Sequence, residues 1–488
     1  MQSGFLLGPL VNVICICVDT FRADILGSGK KLSFVQTPNL DRLRQESVVF
    51  DRAYGEAQAT IQMRLGFFTG QRTFPYRHNP GGRGVANSCL GWHRIPDEYL
   101  TLADILFDAG YVTGFVSDVF HMFKPNMNFT RGFMHWDFIR GQEADPLHCG
   151  PLSAADVRRH VPDGEEDDPR HAGLRQYLIG IQDRRTELDY FTPRVVNGAI
   201  RFLQDNYRRP PFFLWVDSFA PHEYWDPPTY FADRYFADPT AKDFILPVIG
   251  QDRSGQTKKT AADIARTKAL YYGYVTFFDK WIGVLLDKIE EMGLWDDTLV
   301  LFLSDHGTEL MDNGFFSKNI HGPRNYNAQI NWLLRLPGQA HAGTHVEPFV
   351  LNHDVPATIL DLLGVDSPEP LQGQSAWPLV TGKAGDLHGD TIITSWVERA
   401  CVRDREWCYI IDTIRPGAEA LLFHSASDPY ETRDVAAEQP AIVRDRRRQL
   451  EAFLGAPLPV RYVHQPDQRN IVTAARHLDI RRRLGLPT

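Results

Sequence analysis

The chain has 488 residues, 43% hydrophobic and 12% aromatic, enough apolar material for one large core or two smaller ones. Its 61 acidic and 52 basic residues give a formal charge of -9 and are spread along the whole length, so no stretch forms the basic stripe that a nucleic-acid binder needs. Six cysteines without CxxC pairing argue against a cysteine-built zinc cluster and fit a reducing compartment.

The apolar run from Phe5 to Val18 lacks a basic n-region and a small-residue cleavage site, and it leads straight into a polar motif. Its β-branched residues predict a buried parallel strand from about Val11 to Val18 that ends at Asp19. No other segment reaches the roughly 18 uninterrupted apolar residues of a membrane span. The expectation is a cytoplasmic enzyme with no membrane and no nucleic-acid partner.

TPNLDRLRQE, from Thr37, reads as a helix, and a second helix is expected to start near Thr60 in ATIQMRLGFFTGQR. TLADILFDAG and YVTGFVSD follow as helix and strand, the strand ending at Asp118. PFFLWV forms the next strand and opens into the polar segment from Asp217 to His222. Tyr271, Val275, Phe278, Ile282 and Leu286 recur at helical spacing, which predicts a core helix over 262–293, and TLVLFLS then ends at Asp305 and His306. This alternation predicts an α/β fold with a large, mostly parallel sheet flanked by helices, whose ligands sit at the carboxyl ends of the strands. The catalytic domain is expected over 1–372. After it, short strand-like runs and the charged helix IVRDRRRQLEAFL predict a smaller antiparallel C-terminal subdomain over 373–488 that completes the cleft. Polar stretches near 140–190 and 235–262 read as surface insertions, either lining the cleft or simply solvated.

Two strand ends carry candidate metal ligands. Asp19, Asp305 and His306 together make a set of hard and borderline donors suited to Mn, Zn, Fe, Ca or Mg, although each alone also fits a strand-end turn. Thr60 and Arg64 lie one helical turn apart on one face. A hydroxyl at the positive end of a helix is placed to bind the metal and attack a phosphorus or sulfur centre, with Arg64 stabilising the alkoxide and the anionic ester. The plainer alternative makes Thr60 the helix N-cap.

The motif order resembles the sulfatase family within the alkaline-phosphatase superfamily. VDTFRAD at 18–24, TPNLDRL at 37–43, TIQMRLGFFTG at 60–70, APHEYWDPP at 220–228, SDHGTEL at 304–310, HDVPATILDLLGV at 353–365 and DPYETRDVA at 428–436 all follow that pattern. The resemblance implies an alkaline-phosphatase-like fold, a metal held by Asp19, Thr60, Asp305 and His306, and Thr60 as nucleophile. It also implies that Arg64, His222 and Lys318 contact the anionic oxygens or protonate the leaving group. On residue type alone, His222 reads as a turn histidine beside Pro221 and Lys318 as a surface lysine.

Two departures shape the expected chemistry. Family sulfatases convert Cys or Ser at the nucleophile position to formylglycine; threonine cannot become that aldehyde, and Gln62 stands where the motif has proline, so no formylglycine is expected. Cys89, in CLGWHR, comes too late to substitute and lacks the motif's context. Threonine nucleophiles occur in relatives that cleave phosphate diesters and phosphonates. Thr20, where many sulfatases carry a second metal-binding Asp, together with His306 resembles the phosphonate monoester hydrolase and choline-sulfatase branch. Asn87 and His321 are further candidate substrate contacts.

The function expected is a metal-dependent hydrolase of phosphate or phosphonate esters. It would use one divalent ion, a covalent phospho-threonine and a small anionic ester as its partner. A sulfuric ester hydrolase without formylglycine is the alternative on the same fold. A non-catalytic metal-bound binding protein is the alternative from another class, because Thr60 is a hindered secondary alcohol. Oligomerisation is common among similar enzymes, so a homo-oligomer is among the expectations.

Overall fold

The computed structural model describes residues 11–76, 89–124, 127–143, 145–152, 154–252, 254–318, 322–462 and 481–486. Asn87 and His321 lie outside the described residues.

The first half of the chain runs through β1 (Asn12–Val18), α1 (Pro38–Gln45), β2 (Val48–Phe50), β3 (Ala57–Gln58) and α2 (Thr60–Thr69). Then come α3 (Leu102–Asp108), β4 (Val112–Ser117), β5 (His135–Phe138), α4 (Phe191–Asn206) and β6 (Phe212–Ser218). The long helix α5 (Ala261–Glu291) leads into β7 (Thr298–Ser304), β8 (Trp332–Arg335), β9 (His345–Val346) and α6 (Asp354–Leu363). Eight of these strands form one sheet in the order β9-β2-β8-β7-β1-β6-β4-β5, in which β8 alone runs antiparallel.

Every residue of β1 is buried, which explains its unbroken apolar run: both faces of a central parallel strand are covered. Ile14, Ile16 and Val18 face a core shared with Phe277 and Phe278 of α5, while Val13, Cys15 and Cys17 face a second core with Ile61 and Met63 of α2 and Val355 of α6. The α/β architecture expected from the alternating pattern is the one observed.

Two close approaches fix the helices that frame the strand ends. Asp279 on α5 accepts from the Asn39 and Leu40 amides at 3.2 and 2.8 Å, the first turn of α1, where a carboxylate is favoured by the helix dipole. Asn39 in turn lies so near Gly283 that a Cβ there would come within 2.5 Å of it. On the other face, α2 is buried along its whole length, and a Cβ at Gly66 would meet the Asn352 amide at 2.3 Å.

The two polar stretches contain buried anchors. Leu174 and Tyr177, on the helix Ala172–Gly180, and Ile245 belong to the main core. Dense charge on either side conceals these short apolar groups in the sequence.

The C-terminal strands are β10 (Ile392–Trp396), β11 (Arg399–Arg403), β12 (Trp407–Asp412) and β13 (Leu421–His424), followed by the helix α7 (Pro440–Leu454). Their sheet has the order β13-β12-β11-β10-β3, so its edge strand is the two-residue segment that leads into α2. One face packs on Leu450 of α7 through Val402, Tyr409, Ile411 and Leu422. On β11, Arg403 ion-pairs with Glu431 and donates to the Pro323 carbonyl at 3.0 Å, tying the sheet to the loop that follows Lys318. Among the described residues, no helix is long and apolar enough to cross a membrane.

Candidate active site

Three neighbouring parallel strands deliver the site. Val18, Ser218 and Ser304 lie side by side at the ends of β1, β6 and β7. The Asp19 amide donates to the Ser218 carbonyl at 3.0 Å and the Asp305 amide to Val18 at 3.1 Å, so the sheet hydrogen bonding carries the chain one residue past each strand and aims both carboxylates over the edge. Asp19, Asp305 and His306 are each fully buried, and one ligand atom from each lies within 4.8 Å of the others.

The loop after β1 organises both carboxylates. Thr20 adopts a left-handed backbone (φ 63°). Its hydroxyl donates to Asp19 Oδ1 at 2.7 Å and its amide donates to Asp305 Oδ1 at 2.9 Å. Tyr271, reaching across from α5, donates to the Thr20 carbonyl at 2.9 Å. Gly307 permits a tight turn after His306, because a Cβ there would sit 1.9 Å from the Tyr326 carbonyl oxygen.

The helix α2 begins at Thr60 itself and its N-cap is Ala59. The Thr60 hydroxyl is therefore free of a capping role and donates to Asp19 Oδ2 at 3.1 Å. One turn on, Arg64 is fully buried among three carboxylates. Its Nη1 donates to Asp19 at 3.1 Å and to Asp305, while Nε and Nη2 grip Asp217 at 3.2 and 2.7 Å. The sequence marks Asp217 only as a polar strand end; its bond to Arg64 joins residues far apart in the chain.

The donor set fits a divalent cation. His306 Nδ1 bonds the Gly307 carbonyl at 2.9 Å, which places the ring proton there and leaves Nε2 a bare lone pair. That atom is buried without a hydrogen-bond partner among the described residues, 3.6 Å from Asp19 Oδ1 and 3.5 Å from Asp305 Oδ2. Burial lowers the His306 pKa to about 3, so a ring proton does not relieve the clash of acceptors. Three buried carboxyl groups, of Asp19, Asp217 and Asp305, also crowd around the one Arg64 guanidinium. Burial and the Asp19 carboxylate push Asp305 well above the usual carboxylate range. Burial also raises Asp19, but His222, Arg64, His306 and Lys318 outweigh it and hold that group below the usual range.

The remaining expected residues reach the same place. His222 stacks on Phe219 with ring centroids 4.0 Å apart, and Lys318 ion-pairs with Glu223. Both His222 and Lys318 act electrostatically on Asp19. Glu223, unassigned on sequence grounds although it follows His222 directly, lies between them. Trp396, at the end of β10, packs edge-on against the His306 ring at 5.2 Å, which brings the C-terminal sheet to the site.

The family model for Sulfatase matches residues 11–365, and that for the N-sulphoglucosamine sulphohydrolase C-terminal region matches residues 312–453. A multifunctional alkaline phosphatase superfamily protein, PehA of Trinickia caryophylli, is 29% identical over 89% of this chain and 93% of its own. An arylsulfatase of Clostridium perfringens is 28% identical over 76% of this chain and 78% of its own. Among solved structures, the phosphonate monoester hydrolase of Agrobacterium radiobacter superposes with a TM-score of 0.66 at 20% identity, covering 91% of this chain and 95% of that one. With the matched region taking in strand-end carboxylates, α2 and the C-terminal sheet alike, the chain belongs to the sulfatase family of the alkaline-phosphatase superfamily, a family of metal-dependent hydrolases.

Proposed function

We propose that this protein hydrolyses small phosphate or phosphonate esters, with Thr60 as covalent nucleophile beside one divalent cation. The reading rests on the Thr60 hydroxyl, which is not spent on helix capping and donates to Asp19 next to the bare Nε2 of His306. Asp19, Asp305, His306 and the Thr60 oxygen would hold the cation; when bound it supplies positive charge to the ester oxygens and eases deprotonation of the hydroxyl.

The protein's own groups then divide the work. Thr60 Oγ1 gives its proton to Asp19 Oδ2, the acceptor it already faces, and forms the bond to phosphorus as the bond to the leaving oxygen breaks. Arg64, locked by carboxylates, and Lys318 present fixed charge to the equatorial oxygens. His222 gives a proton to the leaving oxygen. Water then attacks phosphorus and gives a proton to His222; the bond from phosphorus to Thr60 Oγ1 breaks, and Oγ1 takes back the proton held on Asp19, which restores the starting state. The unpaired, mostly buried cysteines support a cytoplasmic setting.

Sulfate esters are the second reading, supported by the arylsulfatase and choline-sulfatase relatives; with threonine at the nucleophile position that chemistry would run without formylglycine. The test compares p-nitrophenyl phosphate, bis-p-nitrophenyl phosphate, p-nitrophenyl phenylphosphonate and p-nitrophenyl sulfate with added Mn or Zn. The proposal expects a phosphorus ester as the best substrate and a loss of at least a thousandfold in kcat for Thr60→Ala. Full activity of Thr60→Ala on the best ester overturns the nucleophile assignment, and a sulfate ester as best substrate transfers the reading to sulfur.

A further inference from the structure

The position of Glu223 is unusual for a carboxylate. Its side chain is 4% exposed, and it bridges His222 and Lys318, the two groups expected to work on the ester. One oxygen, Oε2, meets both Lys318 Nζ and His222 Nδ1, the latter at 3.2 Å, while Oε1 has no hydrogen-bond partner among the described residues. Burial pushes the Glu223 carboxyl up, but Lys318 and His222 outweigh it and hold the group at about 2, so it stays charged.

The same residue also holds His222 through its main chain. His222 Nδ1 lies 2.6 Å from the Glu223 carbonyl oxygen. A carbonyl only accepts, so Nδ1 carries a proton and the tautomer is set. Nε2 is left without a protein hydrogen bond among the described residues, on the ring edge opposite Glu223, and the Phe219 ring beneath limits rotation. Among the described residues, His121 and Glu143 also lie within electrostatic reach of this imidazole, as do Asp19 and His306.

We propose that Glu223 is a positioning residue for leaving-group protonation: through carbonyl and carboxylate it fixes His222 with Nε2 toward the leaving oxygen, stabilises the imidazolium, and keeps Lys318 docked beside it. This rests on the Thr60 reading above. In the step concerned, the phosphorus–oxygen bond to the leaving group breaks with its electron pair going to oxygen. The His222 Nε2 proton moves to that oxygen, and the neutral imidazole remains with Nδ1–H on Glu223.

A leaving oxygen that is already a stable anion needs little of this help; an alkoxide needs all of it. The experiment therefore measures kcat and KM for Glu223→Gln and Glu223→Asp on p-nitrophenyl, phenyl and benzyl phenylphosphonate in the metal-loaded full-length protein. The glutamine keeps the shape and the backbone carbonyl but loses the charge. The expected loss in kcat for Glu223→Gln is at least tenfold greater on the benzyl ester than on the p-nitrophenyl ester, with partial rescue by Glu223→Asp. Equal losses along the series, or none, overturn the proposal. If Glu223→Gln does not fold, Glu223→Asp must show a smaller loss with the same leaving-group trend, and a flat series there overturns it equally. Thr60→Ala, run beside them, separates the two ideas: activity retained by that variant refutes the nucleophile, whereas a flat Glu223 series with an inactive Thr60→Ala refutes only the positioning role.

Discussion

Replacing Asp217 by asparagine tests whether this buried carboxylate shares Arg64 with the metal ligands Asp19 and Asp305, so that the guanidinium does not neutralise them alone. Asp217 Oδ1 accepts from Arg64 Nη2 at 2.7 Å, and Oδ2 accepts from Arg64 Nε at 3.2 Å and from Trp215 Nε1 at 3.1 Å. An amide has one oxygen, so in either orientation its NH2 group faces at least one N–H donor and strands it in a site closed to water. Hydrogen bonds to charged groups contribute about 1.5–3 kcal/mol each, and breaking a buried ion pair costs about 3–5 kcal/mol. Arg64 retains Asp19 and Asp305, so a loss of about 3 kcal/mol is the expected scale. The guanidinium, no longer shared with a charged Asp217, binds the two carboxylates it already contacts more strongly and competes with a cation for them. Urea unfolding should show a lower midpoint at an unchanged slope. Calorimetric titration with Mn should show at least tenfold weaker binding. Stability within about 1 kcal/mol of the parent, together with metal affinity within about threefold, would refute this account of the cluster.

Three other perturbations give separable outcomes. Saturating Mn or Zn should raise the melting temperature of the parent, since ligand at a hundred times its Kd contributes about 2.7 kcal/mol, and Asp305→Asn or His306→Ala should abolish most of that rise in differential scanning calorimetry. Gly307→Ala forces a methyl against the Tyr326 carbonyl at 1.9 Å, so the turn must open; kcat should fall at least tenfold and Tm by several degrees, with His306 displaced in a crystal structure of the variant. Burial, with Asp217 adding to it, raises the Asp118 pKa from 3.8 to about 7. A raised carboxyl favours the folded state below its unfolded pKa, and that contribution is lost as pH rises through about 7; the change is on the order of 4 kcal/mol at about 1.4 kcal/mol per tenfold in proton affinity. Asp118→Asn should therefore gain stability relative to the parent between pH 5 and pH 8.5, read as the difference in Tm at the two pH values.

The parts of the site that are legible in the sequence are those announced by local pattern. An unbroken apolar run ending in Asp19, and another ending in Asp305 and His306, mark central strands because only a strand covered on both faces is apolar throughout. The ten-residue helix that begins at Thr60 is equally local. Contacts between distant segments are not legible in this way. The grip of Asp217 on Arg64, the insertion of Glu223 between His222 and Lys318, and the packing of Trp396 on His306 arise only when the sheet and its C-terminal partner close around one edge. The same holds for β3, two residues whose pairing with Ser395 and Trp396 couples the start of α2 to the far end of the chain. Buried Leu174 and Tyr177 are hidden for another reason, since short apolar groups inside charged stretches lack a detectable period.

The most direct measurement of the central claim is covalent trapping. The metal-loaded protein is quenched in acid during turnover of p-nitrophenyl phenylphosphonate, digested, and analysed by mass spectrometry. The account predicts a phenylphosphonyl group on Thr60, absent from Thr60→Ala. An adduct on another residue, or steady turnover by Thr60→Ala with no adduct on the parent, would contradict it.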